Sequence, residues 1–173
     1  MKLSICLVAV ATAAAAAGIE IRDAASIKAA LVTLRADIVA LNAAADNFNG
    51  GSFQPVVDAS RKMIRDINAG IDAAKASTKL SAGDALDLLP TIGSLRAPSR
   101  ALSHTVAAKV PVMSQAGGCS IVRAEFDGIV AGTMTLVYEI EEKFPRELII
   151  GEPDDWVLLV APIDEVLSQY CFT

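Results

Sequence analysis

The sequence predicts an all-α fold: a single-domain, up-and-down bundle of about five helices that follows a cleaved signal peptide. Three observations predict it. From Arg22 onward apolar residues recur every three or four positions, while sustained alternation with period two is scarce, which is the pattern of helices rather than strands. The chain is rich in alanine, and aromatic residues make up only 5% of it, so the stripes are built from small side chains. Gly, Pro and Asn-Gly-Gly punctuation then cuts the pattern into segments of helical length.

The first 17 residues read as a secretory signal peptide: Lys2, an apolar run from Leu3 to Val10, and the alanine tract Ala13 to Ala17. The Ala15-Ala16-Ala17 end places cleavage near Gly18, leaving residues 18–173 as one helical-bundle domain. No integral membrane span is expected, because charge arrives at Glu20, Arg22 and Asp23 before about 20 apolar residues have accumulated.

The first mature helix carries Ala24, Ile27, Leu31, Leu34, Ile38, Leu41, Ala45 and Phe48 on one stripe and ends at Asn49-Gly50-Gly51. Ser52 is placed as the N-cap of the second helix, with Pro55 in its first turn. That helix presents Val57, Ser60, Ile64, Ile67, Ile71 and Ala74. The third starts at Ser81, where Asp84 stands in for the glutamate of a capping box, and carries Ala85, Leu88, Ile92, Leu95, Ser99, Leu102 and Val106. Pro90 and Pro98 predict a kink in it, or two shorter helices meeting near Gly93 or Ala97-Pro98.

Lys109-Val110-Pro111 reads as a helix stop followed by a loop from Val112 to Gly118. A fourth helix with Val122, Phe126, Ile129, Thr133, Leu136 and Ile140 stops at Lys143-Phe144-Pro145. A loop then carries Leu148-Ile149-Ile150 back over the core. The last helix begins at Asp154 or Asp155 and presents Trp156, Val160, Ile163, Leu167 and Tyr170.

The chain holds 15 basic and 20 acidic residues; loss of Lys2 leaves 14 basic, a net charge of −6, which excludes nucleic acid as a partner. The acid is concentrated late: Pro111 to Thr173 carries 11 acidic residues against 3 basic ones. It reads as a solvated face, as does the cluster Glu139, Glu141 and Glu142. Cys6 leaves with the signal peptide, so Cys119 and Cys171 remain as an even pair, and in an oxidising compartment they form one disulfide. It closes a loop of about 52 residues, which the chain-entropy picture values at about 3 to 4 kcal/mol. With His104 as the single histidine, neither a metal nor a cofactor is expected.

Catalytic groupings are missing. Gly93-Ser94 lacks the frame of a nucleophile elbow, and His104, placed near a helix C-terminus, has no partner set for general base chemistry. There is no Gly-rich phosphate loop or calcium loop. The remaining place for function is the interior of the bundle, where a fatty acid or another apolar ligand can lie between helices. Its candidate apolar lining is Leu34, Ile38, Leu41, Ile64, Ile67, Ile71, Leu88, Ile92, Leu95, Phe126, Ile129, Leu136, Ile163 and Leu167. Ser60, Ser99 and Thr133 occupy stripe positions where apolar residues are the rule. Each either hydrogen-bonds its own helix backbone or fixes a ligand's head group.

The order of these features resembles a fungal family. Arg22-Asp23-Ala24-Ala25 opens the first helix, Phe48-Asn49-Gly50-Gly51 closes it, and Leu80-Ser81-x-x-Asp84-Ala85-Leu86 with Leu88-Leu89-Pro90 opens the third. Together with the two Lys-x-Pro stops, these are similar to the hydrophobic surface binding protein A family, which includes the cell-wall galactomannoproteins. The resemblance runs from about Ile21 to Phe172. It implies a non-enzymatic extracellular or cell-wall protein of about five helices that adsorbs to hydrophobic surfaces and, in some members, holds fatty acids in a central cavity. The alternative is a structural or antigenic wall protein, or a secreted effector, that meets a protein or polysaccharide through its polar surface.

Overall fold

The structure, a computed structural model, describes residues 3–148, with side chains from Ala24 onward. Five α-helices follow one another: α1 (Leu3–Asp46), α2 (Gln54–Ala76), α3 (Ala82–Gly93), α4 (Arg96–Gln115) and α5 (Cys119–Glu141). A short 3-10 turn, Arg146–Leu148, comes after them. The expected last helix, from Asp154, lies outside the described residues. Among the described residues no helix is long and apolar enough to cross a membrane.

The expected stripe of α1 is the buried one, from Ile27 through Leu31, Leu34, Ile38 and Leu41 to Ala45. The helix itself starts at Leu3 rather than Arg22. At its far end Phe48 stacks on Phe53 with ring centroids 4.4 Å apart, closing the turn to α2. Gly50 supplies the left-handed residue this turn requires, at φ +91°. Ser52 is not the N-cap. Phe53 holds that position, while the Ser52 hydroxyl, one residue outside it, accepts from the Gln54 N–H at 3.1 Å.

The third predicted helix is two helices. The break falls at Ser94-Leu95, next to the expected site at Gly93. Pro98 is then tolerated in the first turn of α4, where its absent N–H had no intrahelical partner to lose. Ser81 caps α3, its hydroxyl accepting from the Asp84 N–H at 3.1 Å and donating to Asp84 Oδ2 at 2.6 Å. Asp84 is one methylene too short for the reciprocal bond of a glutamate capping box, so its carboxylate takes the hydroxyl instead.

The stop expected at Pro111 is absent, since α4 runs on to Gln115. An internal proline costs about 3 kcal/mol, but the extra turn carries Val110 and Met113 into full burial, worth about 1.5 to 3 kcal/mol each. Packing therefore outweighs the proline. The helix ends in a Schellman turn, with Gly117 at φ +71° and the Gly118 N–H donating to the Met113 carbonyl at 2.9 Å. His104 consequently stands in the middle of α4, exposed, and not near a helix C-terminus.

Named contacts give the topology. Asp37 meets Lys62, and Ala30 faces Gly70, so α1 and α2 are antiparallel. Lys109 Nζ donates to Asn49 Oδ1 at 3.1 Å, which brings the end of α4 to the α1–α2 turn. The Leu80 N–H donates to the Lys143 carbonyl at 2.8 Å and joins the start of α3 to the end of α5. The run is thus up (α1), down (α2), up (α3 and α4 together) and down (α5). Around the bundle the order is α4, α1, α2, α5; α4 and α5 approach each other far less than the other neighbouring pairs do.

The α2–α5 seam is parallel and tight. Arg61 meets Glu125 at 3.0 Å, Ile64 lies on Gly128, Ile67 on Gly132 and Leu136 against Gly70. At Gly132 a Cβ would stand 2.9 Å from Ile67 Cγ2, so the glycine is what lets the two helices close.

Candidate functional site

The interior of the bundle holds most of the residues predicted to line a cavity, packed as core. Leu34, Ile38, Leu41, Ile67, Ile71, Leu88, Leu95, Phe126, Ile129 and Leu136 belong to one continuous core. Ile92 packs against that core half-buried, as does Ile64, which fills the α2–α5 seam beside Gly128 instead of lining the interior. Ile163 and Leu167 lie outside the described residues.

All three predicted hydroxyl residues are buried: Ser60 at 0% exposure, Ser99 at 5% and Thr133 at 7%. Neighbouring hydroxyls show the ordinary helical solution. Ser103 donates to the Ser99 carbonyl at 3.1 Å and Thr135 to the Ala131 carbonyl at 2.9 Å, each four residues back. Ser60 Oγ and Thr133 Oγ1 do neither, and both lie buried without a protein hydrogen-bond partner. A buried polar atom left unpaired costs about 1 to 3 kcal/mol, so these two stand out from the hydroxyls around them.

They do not share one spot. Ser60 precedes Arg61, which sits level with Glu125, whereas Thr133 follows Gly132, which sits level with Ile67. The offset is about nine residues, roughly 13 Å along the helices at 1.5 Å per residue. What lies near the height of Ser60 is Asn42, because Asp37 opposite Lys62 puts Asn42 about level with Asp58. Asn42 Oδ1 is also buried without a partner. The Ser99–Ser103 turn of α4 reaches the same height within about a turn, as judged from the Lys109–Asn49 contact above it. The upper half of the interior therefore carries a polar layer on three helices, with Thr133 below it.

Sequence reasoning missed Asn42, although the signal was there: it stands four residues after Ile38 and three before Ala45, on the edge of the buried stripe. It also missed Asp37, three residues after Leu34 and four before Leu41. Asp37 is the one buried charged side chain among the described residues. Its Oδ1 lies 2.5 Å from Lys62 Nζ, which also meets Asp66 Oδ2 at 2.6 Å. Burial pushes the Asp37 carboxyl above the usual carboxylate range, against the pull of Lys62, while the hydrogen bond from Lys62 holds Asp66 below it.

One further expectation changes. Of the acidic cluster only Glu142 is exposed; Glu139 and Glu141 are half-buried, and burial raises the Glu141 carboxyl. Cys119 opens α5 and is disulfide-bonded, while Cys171 lies outside the described residues.

An all-α bundle closed on small residues, with buried unpaired polar atoms in an apolar interior, is of the class of helical bundles that have room for polar and apolar groups to meet between helices. The pattern of the hydrophobic surface binding protein A family matches residues 24–142, and the chain belongs to that family. Cell wall mannoprotein 1 of Aspergillus fumigatus is 27% identical over 115 residues, which are 66% of this chain and 40% of that protein. The chain thus spans about two fifths of the length of that relative. Among solved structures, ligand binding domain 2 of Penicillium marneffei MP1 protein, complexed with multiple arachidonic acids, superposes with a TM-score of 0.79 at 16% identity, covering 86% of this chain and 96% of that one. AFMP4P in complex with palmitic acid superposes with a TM-score of 0.70 at 23% identity, covering 85% and 96%. At these identities the superpositions establish the shared fold.

Proposed function

We propose that this chain is a secreted, non-enzymatic carrier that holds a long-chain lipid of the fatty-acid class between its helices, at the cell wall or outside the cell. The observation that carries the reading is the pair of buried hydroxyls, Ser60 and Thr133, left without partners inside a core that is otherwise apolar. Each supplies a polar anchor that a ligand's head group or a chain-borne oxygen can meet, while the surrounding aliphatic side chains take up the acyl chain. The fatty acids held by two proteins of the same fold agree with this reading. Native mass spectrometry of the delipidated protein titrated with palmitic acid tests it. A one-to-one or higher stoichiometric complex is expected, and protein that stays ligand-free at micromolar lipid overturns the reading.

A second activity is favoured by the outer surface. Val32 and Val39 on α1, Leu86 and Leu89 on α3, and Met134 and Tyr138 on α5 are each at least 45% exposed. These apolar side chains suit adsorption to hydrophobic material, as the family name describes. Depletion of the protein from solution by hydrophobic beads at neutral pH is expected; an unchanged concentration removes this activity from the proposal.

Export and the disulfide are part of the same reading. Cleavage near Gly18 is expected at the N-terminus of the exported protein, and N-terminal sequencing checks it. Cys171 is the proposed partner of Cys119. The alternative, Cys6, lies 40 residues before Asp46 on the continuous helix α1, roughly 60 Å from the end of the bundle where α5 begins. Peptide mapping under non-reducing conditions is expected to recover the Cys119 peptide joined to the Cys171 peptide.

A further inference from the structure

The chemistry of the interior also bears on the charge state of what it holds. Among the described residues the buried polar and charged side chains are Asp37, Ser60, Ser77, Ser99, Ser103 and Thr133, with no lysine, arginine or histidine among them. Residues 149–173 contain no basic residue at all. Among the described residues the interior thus offers no buried cation to a ligand, and the one charge buried there is negative.

The groups at the height of Ser60 show how complete this is. On α1 stands Asp37, already engaged by Lys62. On α2, Arg61 and Lys62 are more than half exposed, and Arg61 is turned to Glu125 of α5. On α4, Arg100 and His104 are exposed, and on α5 the half-buried Arg123 is turned to Asp127 at 3.8 Å. The atoms left without partners inside are two hydroxyls, which can donate or accept, and two oxygens that can only accept, Asn42 Oδ1 and Asp37 Oδ2. A carboxylate entering this space would lose its hydration, find no cation and add a second negative charge. A head group that is neutral and carries an O–H would find both the acceptors and the donors it needs.

We infer that the bound lipid presents a neutral, hydrogen-donating head, namely a protonated carboxylic acid or a long-chain alcohol, and that the fatty-acid anion is excluded. The inference rests on the carrier reading above and narrows it to one protonation state and one ligand chemistry. Ser60 and Asn42 form the head-group site in the upper polar layer. The acyl chain runs down the core past Thr133.

Titration of the delipidated full-length protein with palmitic acid, 1-hexadecanol and methyl palmitate between pH 5 and 9, read by native mass spectrometry and by displacement of a fluorescent lipid, tests it. Hexadecanol is expected to bind with a pH-independent affinity, and methyl palmitate, which cannot donate, several-fold more weakly. Palmitic acid is expected to weaken by about tenfold per pH unit on the alkaline side, because each unit removes tenfold of the protonated form. Ser60→Ala and Asn42→Leu, the latter checked for retained helicity by circular dichroism, are each expected to weaken hexadecanol and palmitic acid together, because each removes a partner of the head-group O–H. A palmitate affinity that is flat across this range and exceeds that of hexadecanol overturns the inference while leaving the carrier reading in place. Failure of all three lipids to bind overturns both.

Discussion

Gly128 and Gly132 line the same seam, yet they respond differently to a methyl group. At Gly132 the new Cβ meets Ile67 Cγ2 at 2.9 Å, on a β-branched side chain whose rotamer is nearly fixed in a helix. At Gly128 it meets Ile64 Cδ1 at 3.0 Å, the free end of a longer arm that can swing away. Gly132→Ala is therefore expected to destabilise the protein by about 1 kcal/mol net, overpacking exceeding the gain in helix propensity. Gly128→Ala is expected to be neutral or stabilising by up to about 1 kcal/mol. Urea unfolding of the two variants checks the contrast, and Ile67→Val in the Gly132→Ala background should recover part of the loss.

The Asp37–Lys62–Asp66 cluster sets a pH response at the same scale. Asp37 is raised by burial, so the stability tied to it is greatest below the unfolded carboxylate range and is lost as pH climbs through the raised value. Asp66 is lowered by its bond from Lys62, so its contribution is present above that range and is lost as pH falls through the lowered value. Lys62→Met removes the cation both depend on. It is expected to lower the melting temperature at pH 7, with the deficit shrinking as acid protonates Asp37; calorimetry at pH 7 and at acidic pH measures this. Residues of this kind were only partly legible. Ser60, Ser99 and Thr133 announced themselves by breaking an apolar stripe, whereas Asp37 and Asn42 sit on stripe edges, where spacing alone does not separate a buried position from an exposed one.

Among the elements, the stripes of α1, α2 and α5 were readable because a three-four spacing sustained over 20 or more residues admits one buried face. The Ser81 cap was readable too. Ser81→Ala is expected to cost about 1 kcal/mol through loss of the bond from the Asp84 N–H, checked by thermal unfolding. What failed was the weight given to proline. Pro111 reads as a stop because its local cost is known, while the reward that overrides it, the burial of Val110 and Met113 against other helices, is tertiary and has no local mark. The Gly117-Gly118 pair is the true punctuation: Gly117 supplies the left-handed turn, and Gly118 leaves room for the Phe53 ring, which a Cβ would penetrate.

For the whole molecule, class and connectivity followed from periodicity and short connections, but the order of helices around the bundle did not. Sequence neighbours α4 and α5 pack far less than α2 and α5, which are far apart in the chain yet close on each other because two glycines on α5 admit two isoleucines of α2. Cys171→Ser is expected to cost about 3 to 4 kcal/mol in the chain-entropy picture, read as a lower denaturation midpoint that matches the reduced parent protein.

The glycine seam also decides how the bundle can change volume. Three of its sides are closed, by α4 on α1, α1 on α2 and α2 on α5, and the last of these has no slack to give. Among the described helices the fourth side, between α4 and α5, is the most loosely packed, and it is the side expected to widen. Filling the interior should then move probes at Ala101 and Asp127 apart while probes at Asn68 and Met134 hold their distance.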